Sequence, residues 1–286
     1  MVKPVPLPNV FFNTSPPFNT VGKTILSGGL RLSRDNSSFY FQILKPVTRD
    51  IDISFFNPLK IIPNSFFERD PREVAPDLLG KVLRHRIDGY WLEARIIETE
   101  AYLLVERGSH ESLGETPSRR ALFMEAGTIY MYYARGGDSF NFSCLGPGNA
   151  VLIKAGIPHP PESEDSEMLD SMQLRNPING KPRKSYKLCS GQTLFCKSLG
   201  LKVPDWNIKR LVPGTLELVD SQNPPVEILN TTRLGIPKGR DEHLLLRYLD
   251  SGYAGSCTQN PLKSRKKIAL KKINQGTGFS TNSQTI

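Results

Sequence analysis

The chain has 286 residues, 38% of them hydrophobic, enough for one sizeable domain with tails or for two small domains, and a single core is the simpler reading. Lys and Arg number 37 against 28 Asp and Glu, a formal charge of +9 that favours polyanionic partners such as nucleic acid or an anionic membrane surface, although six basic and no acidic residues fall in Lys263–Lys272 and the remainder is only mildly basic. The four cysteines lack the CxxC spacing of a zinc or iron–sulfur site and read as reduced thiols, no stretch approaches the ~18 apolar residues of a membrane span, and MVKPVPLPNVFFNTSPPF lacks the apolar core of an export signal.

Residues 1–60 are rich in Pro, Asn and Ser without a sustained period, and an irregular or disordered leader is expected there. The main domain is placed at 61–255. It opens with NSFFERDPREVAPDLLGKVL, in which Ala75, Leu78, Leu79 and Val82 follow helical spacing and Gly80 sits near the helix end. Strands then dominate: KVLRHRI, YWLEARIIETEAYL, GTIYMYYAR, NAVLIKAGI and GTLELVD join β-branched or aromatic residues to boundaries of Gly, Asn, Asp or Pro. Between the last two of these, SEMLDSMQLRN and SGQTLFCKSLGL read as helices flanking the basic loop GKPRKSYK. HLLLRYL is a last strand candidate before a basic tail, 256–286, expected to be disordered. The class is α+β: a single domain on a largely antiparallel, curved β-sheet with flanking helices.

Period two along YWLEARIIETEAY puts Leu92, Ala94, Ile96, Glu98, Glu100 and Tyr102 on one strand face, so an apolar row becomes a polar one. A carboxylate emerging beside the low-dielectric wall of a pocket is placed to deprotonate a water. Spacing leaves Glu98 and Glu100 equivalent, and ordinary solvated strand-end carboxylates are the commoner outcome of such a pattern. GTIYMYYARGG gathers Tyr130, Tyr132 and Tyr133 beside Arg135, which suits stacking on a nucleobase as well as a Tyr-rich core strand followed by a turn. Lys154 ends the apolar run NAVLIK and either snorkels to solvent or points into the pocket of Glu100.

From about Asn64 to about Leu249 the sequence resembles the alkyladenine, or methylpurine, DNA glycosylase family. The likeness rests on the ordered motifs APDLLGKVL, IIETEAY with the following His110, TPSRRALFMEAGTIYMY, Asn141-Phe-Ser, NAVLIKAG and LCSGQTLFCKSLGL. It implies an enzyme of base excision repair that flips a damaged purine out of duplex DNA and hydrolyses its N-glycosidic bond, leaving an abasic site. By the same likeness Glu100 is the water-activating carboxylate, Tyr102 and Tyr132 stack on the flipped base, His110 is a pocket donor and Asn141 guards against undamaged guanine. Glu98 has no comparable role. Lys154 stands where the family has an arginine near the attacking water, keeping the charge and losing the planar fork.

Arg135 stands where many relatives have a tyrosine that fills the gap left by the flipped nucleotide. A planar guanidinium can take that place, and a phosphate clamp with the wedge elsewhere is the equal alternative. The expectation is a monofunctional, monomeric enzyme acting on double-stranded DNA containing damaged purines. It needs no metal or organic cofactor, has no membrane association and is not secreted, being cytoplasmic or nucleoid-associated in a bacterium and nuclear in a eukaryote. The alternative is a catalytically silent nucleic-acid-binding relative, kept open by Arg135, Lys154 and a shortened GGDSFN loop.

Overall fold

The structure, a computed structural model, describes residues 30–34, 39–43, 60–109, 111–134, 136–159, 167–263 and 270–274. Met1–Asn57 and Pro58–Ile286 are separate compact units. In the first, β1 (Leu30–Arg34) and β2 (Phe39–Ile43) pair antiparallel, a strand pair that the composition of this segment did not announce.

The second unit begins with the short β3 (Lys60–Ile61) and α1 (Pro71–Asp77). Asp70 caps α1 by accepting from the Arg72 N–H at 2.8 Å, and Pro71 occupies the first helical position, where no N–H is needed. These two residues start the helix earlier than the apolar spacing indicates. It also ends earlier, so that Val82 belongs to β4 (Val82–Ile87). A turn at Asp88 and Gly89 leads into the long β5 (Tyr90–Tyr102). Next come the hairpin of β6 (Ile129–Ala134) and β7 (Gly137–Ser143), then β8 (Ala150–Pro158). The helices α2 (Glu167–Arg175), α3 (Gln192–Ser198) and α4 (Val203–Trp206) follow. β9 (Leu216–Asp220), β10 (Glu227–Thr231), β11 (Arg247–Asp250) and β12 (Leu270–Asn274) complete the unit. The five sequence-predicted strands and the helices at α2 and α3 are present. β7, β10 and β12 lie where no strand was expected, and β12 falls within the basic tail.

β5 is the spine of the sheet. One of its edges pairs with β8, which leads to β7 and β6. Its other edge pairs first with β4, leading to β9 and β3, and further along with β11, leading to β10 and β12. All of these pairings are antiparallel, and the sheet is open.

The β5–β8 ladder is irregular where the chemistry-bearing residues lie. Its register shifts between Ile96 and Glu98 and again between Glu98 and Thr99. Before the shift, Leu92, Ala94 and Ile96 face the main core. After it, Ala101 faces that core and the Thr99 hydroxyl donates to the Ala75 carbonyl of α1 at 2.7 Å. Ile97 turns to the opposite side, into a second cluster with Ala155, Leu229, Leu249 and Cys257. β8 makes the matching change: Val151 and Ile153 face the main core, and Ala155 and Ile157 join the second cluster.

The expected continuous face from Leu92 to Tyr102 is therefore corrected. A bulge reverses sides at Ile97–Glu98, sending Glu98, Glu100 and Tyr102 away from the core that Leu92, Ala94 and Ile96 cover. On the core side, α3 closes tightly over β8. A Cβ on Gly156 would lie 2.7 Å from the Phe195 ring and 2.8 Å from the Arg95 carbonyl, so only glycine fits there.

Candidate active site

Glu100 has zero exposure, yet its carboxylate is not buried among apolar groups alone. The Tyr102 hydroxyl donates to Oε2 at 2.8 Å, the two side chains standing on one face at strand spacing. Lys154 Nζ donates to the same oxygen at 3.3 Å and to Gln192 Oε1 at 3.1 Å, while the backbone N–H of Leu234 donates to Oε1 at 3.3 Å. A carboxylate has about four acceptor sites, so this arrangement leaves room for a water.

Tyr102 is held from behind. The Arg233 guanidinium lies 4.6 Å from its ring centroid, donates to the Ala101 carbonyl at 3.0 Å and pairs with the buried Glu106. Burial pushes the Glu106 carboxyl above its usual range, against the pull of Arg233. Burial, and then the negative charge of Glu100, hold the Tyr102 hydroxyl well above its ordinary value, so it stays a donor across the working pH range.

In front of these groups lies a cavity of about 920 Å³, walled by Tyr102, Tyr130, Tyr132, Asn141, Leu152, Lys154 and Gln192, with Leu234–Pro237 and Thr258–Gln259 along its edge. Tyr130 and Tyr132 stack with ring centroids 5.3 Å apart and planes at 23°. Asn141 stands opposite Tyr130 in the β6–β7 ladder, and its amide donates to the Tyr130 carbonyl at 3.0 Å, which fixes the amide's orientation. Tyr133 lines the mouth and is 68% exposed. His110 and Arg135 lie outside the described residues.

Glu98 has a different setting. Arg247 Nε donates to its Oε1 at 2.6 Å and the Thr258 N–H to its Oε2 at 2.7 Å, which closes the carboxylate inside the second cluster. The symmetry that spacing left between Glu98 and Glu100 is thus broken by their partners. Gln192, Leu234 and Arg233 were not singled out from sequence. Gln192 sits in a motif that reads simply as the start of a helix, and Arg233 and Leu234 lie in NTTRLGIP, which has no recognisable spacing. Among the described residues no group of three or more His, Cys, Asp or Glu is placed to hold a metal ion. Burial raises the thiols of Cys144, Cys189, Cys196 and Cys257, Cys189 to about 12, so they remain protonated.

A model of the methylpurine-DNA glycosylase (MPG) family matches residues 65–254. A Pseudomonas savastanoi pv. phaseolicola protein named "Putative 3-methyladenine DNA glycosylase" is 57% identical over 203 residues, covering 71% of this chain and 91% of that one. Proteins of the same name from Pseudomonas aeruginosa and Koribacter versatilis are 56% and 34% identical, over 71% and 67% of this chain and 85% and 90% of theirs. The match spans the strands and loops that build the cavity apart from Thr258 and Gln259, and the chain belongs to the methylpurine-DNA glycosylase family.

Proposed function

We propose that this DNA glycosylase takes a damaged purine, flipped from duplex DNA, into the cavity faced by Tyr102 and Tyr132, and that Glu100 activates the water that displaces it. The observation that carries this reading is the placing of Glu100: a buried carboxylate, bonded to Tyr102 and Lys154, beside an aromatic-walled cavity large enough for a nucleobase. Water attacks C1′ of the deoxyribose while Glu100 takes its proton. The C–N bond breaks with its electron pair going to the purine, and an abasic site and a free base result. The carboxylate's charge also favours the oxocarbenium-like sugar of the transition state.

Purines alkylated at N3 or N7 are cationic. They stack well on electron-rich tyrosines and leave readily, so a strong general acid is not required. Lys154 orients the water or the carboxylate. Asn141 presents a fixed amide to the base edge and so opposes guanine. His110 contributes a donor, and Arg135 clamps a phosphate or enters the base stack. The enzyme acts as a monomer, since a single flipping pocket gives no reason to require an oligomer, and it is monofunctional.

Full-length protein is incubated with duplex DNA carrying one 7-methylguanine or 3-methyladenine, and free base and strand breaks are followed. The expected products are free base and an intact strand that breaks only on alkaline treatment. Glu100→Gln retains binding to the lesion duplex and loses about 10³-fold or more in single-turnover base release. Substantial residual excision by that variant would remove Glu100 from the role of base, and direct strand cleavage would overturn the monofunctional assignment.

A further inference from the structure

Lys154 donates to two acceptors at once, and the two bonds are unequal. Its contact with the carboxylate of Glu100, at 3.3 Å, is longer than the ~2.7–2.9 Å usual for a charge-assisted bond, whereas its contact with the neutral amide oxygen of Gln192 is 3.1 Å. A lysine left beside a buried carboxylate is drawn onto it, so a competing acceptor holds this ammonium back. We propose that Gln192 is a positioning residue that shares Lys154 with Glu100 and thereby keeps the carboxylate free to accept a proton from water. This rests on the reading of Glu100 as the base.

The location of Gln192 is built into the fold. Gly191, directly before it, has φ 135°, a backbone conformation closed to other residues without strain. Phe195 of α3 packs on Gly156 of β8, two residues from Lys154. Helix and strand are therefore fixed against each other, and so is the span between Gln192 and Lys154. Lys154 has a side-chain exposure of 11%, which leaves it few other partners.

Among the described residues, the other charged and titratable groups named around Glu100 are engaged elsewhere or act alongside the lysine. Glu98 of β5 and Arg247 of β11 pair with each other, and Arg233 pairs with Glu106. Tyr102 donates its hydroxyl to Glu100, and Tyr132 lines the same cavity. Among the described residues, Lys154 is the cation in contact with Glu100.

The test uses the full chain on a duplex with a single 7-methylguanine and measures single-turnover base release against pH, with binding measured separately. In Gln192→Leu the lysine settles onto Glu100: the acidic limb moves down by about one pH unit and the plateau rate falls about tenfold, with DNA affinity unchanged. In Gln192→Glu the new carboxylate draws the lysine away and adds a second negative charge, so the limb moves up by about one pH unit. Limbs that stay in place, or that move in the same direction in both variants, would overturn the inference. Glu100→Gln run in parallel separates the two readings. If it still releases base, the assignment of the base fails; if it is inactive while the Gln192 limbs are unmoved, only the role of Gln192 fails.

Discussion

Glu98 and Glu100 stand two residues apart on one strand, share a face and are equally buried, yet their surroundings differ in kind. Glu98 has short bonds of 2.6 and 2.7 Å to Arg247 and the Thr258 N–H. Around Glu100 two of the three bonds are 3.3 Å long, from Lys154 and the Leu234 N–H, and the residues holding it line a cavity. A buried carboxylate with tight, charge-matched partners is a fastener. One with looser partners beside open space keeps acceptor capacity for a reactant. Burial and residue type do not separate structural from chemical groups here; bond length and neighbouring volume do.

Removing the fastener's partner is the largest expected break in that comparison. Arg247→Met leaves the buried Glu98 carboxyl without its ion-pair partner, and chemical denaturation is expected to show a loss of about 3–5 kcal/mol. The double variant Glu98→Gln/Arg247→Met recovers much of it, because no charge is left stranded. Glu100→Gln, by contrast, loses activity with little change in the unfolding midpoint. If both single variants lost stability equally, the distinction between the two carboxylates would collapse.

A smaller effect sharpens the chemical side. Tyr102 supplies a ring to the cavity and a hydroxyl to Glu100. Tyr102→Ala removes both and is expected to weaken lesion-duplex binding by about 1–3 kcal/mol, the usual worth of one base–aromatic stack. Tyr102→Phe keeps the ring and Arg233 behind it, so affinity holds while the rate falls with the lost hydrogen bond. Equal affinities for the Ala and Phe variants would mean that the ring does not face the base.

Much of this was legible in the sequence, for local reasons. Alternating apolar runs located β4, β5, β6, β8 and β9, and the order of motifs identified the family. The bulge was not legible: IIETEAY has the same period-two pattern whether or not the ladder shifts, and the shift is imposed jointly by β8 and by the second core cluster. Spacing alone could not tell Glu98 from Glu100, which only the family resemblance separated, because its partner Arg247 arrives from 149 residues away. β12 escaped notice because LKKIN is short and basic, and its partner β10 supplies the order, with Lys272 reaching Glu227 at 3.0 Å. Gln192 escaped because a glutamine opening a helix carries no signal until the lysine opposite is placed.

The mildest expected effect concerns a buried group that, among the described residues, has no ion pair of the kind Glu98 has. His85 of β4 packs edge-on against Trp206, and its Nδ1 lies 2.8 Å from the Leu199 carbonyl, so that nitrogen carries the proton and donates. Burial lowers its pKa, only partly offset by the Leu199 bond, and Arg175 lowers it further. The fold thus favours neutral imidazole, a contribution fully present above the unfolded value near 6.5 and lost as pH falls through the folded value. Stability should decline on acidification below about pH 6.5, with a slope from this residue of at most about 1.4 kcal/mol per pH unit. His159, also lowered by burial, adds to the decline in the same direction. His85→Gln keeps a donor for Leu199 and removes the titration, so its denaturation midpoint should follow a shallower pH dependence than that of the parent. An identical dependence would show that His85 takes up its proton in the folded state as readily as in the unfolded one.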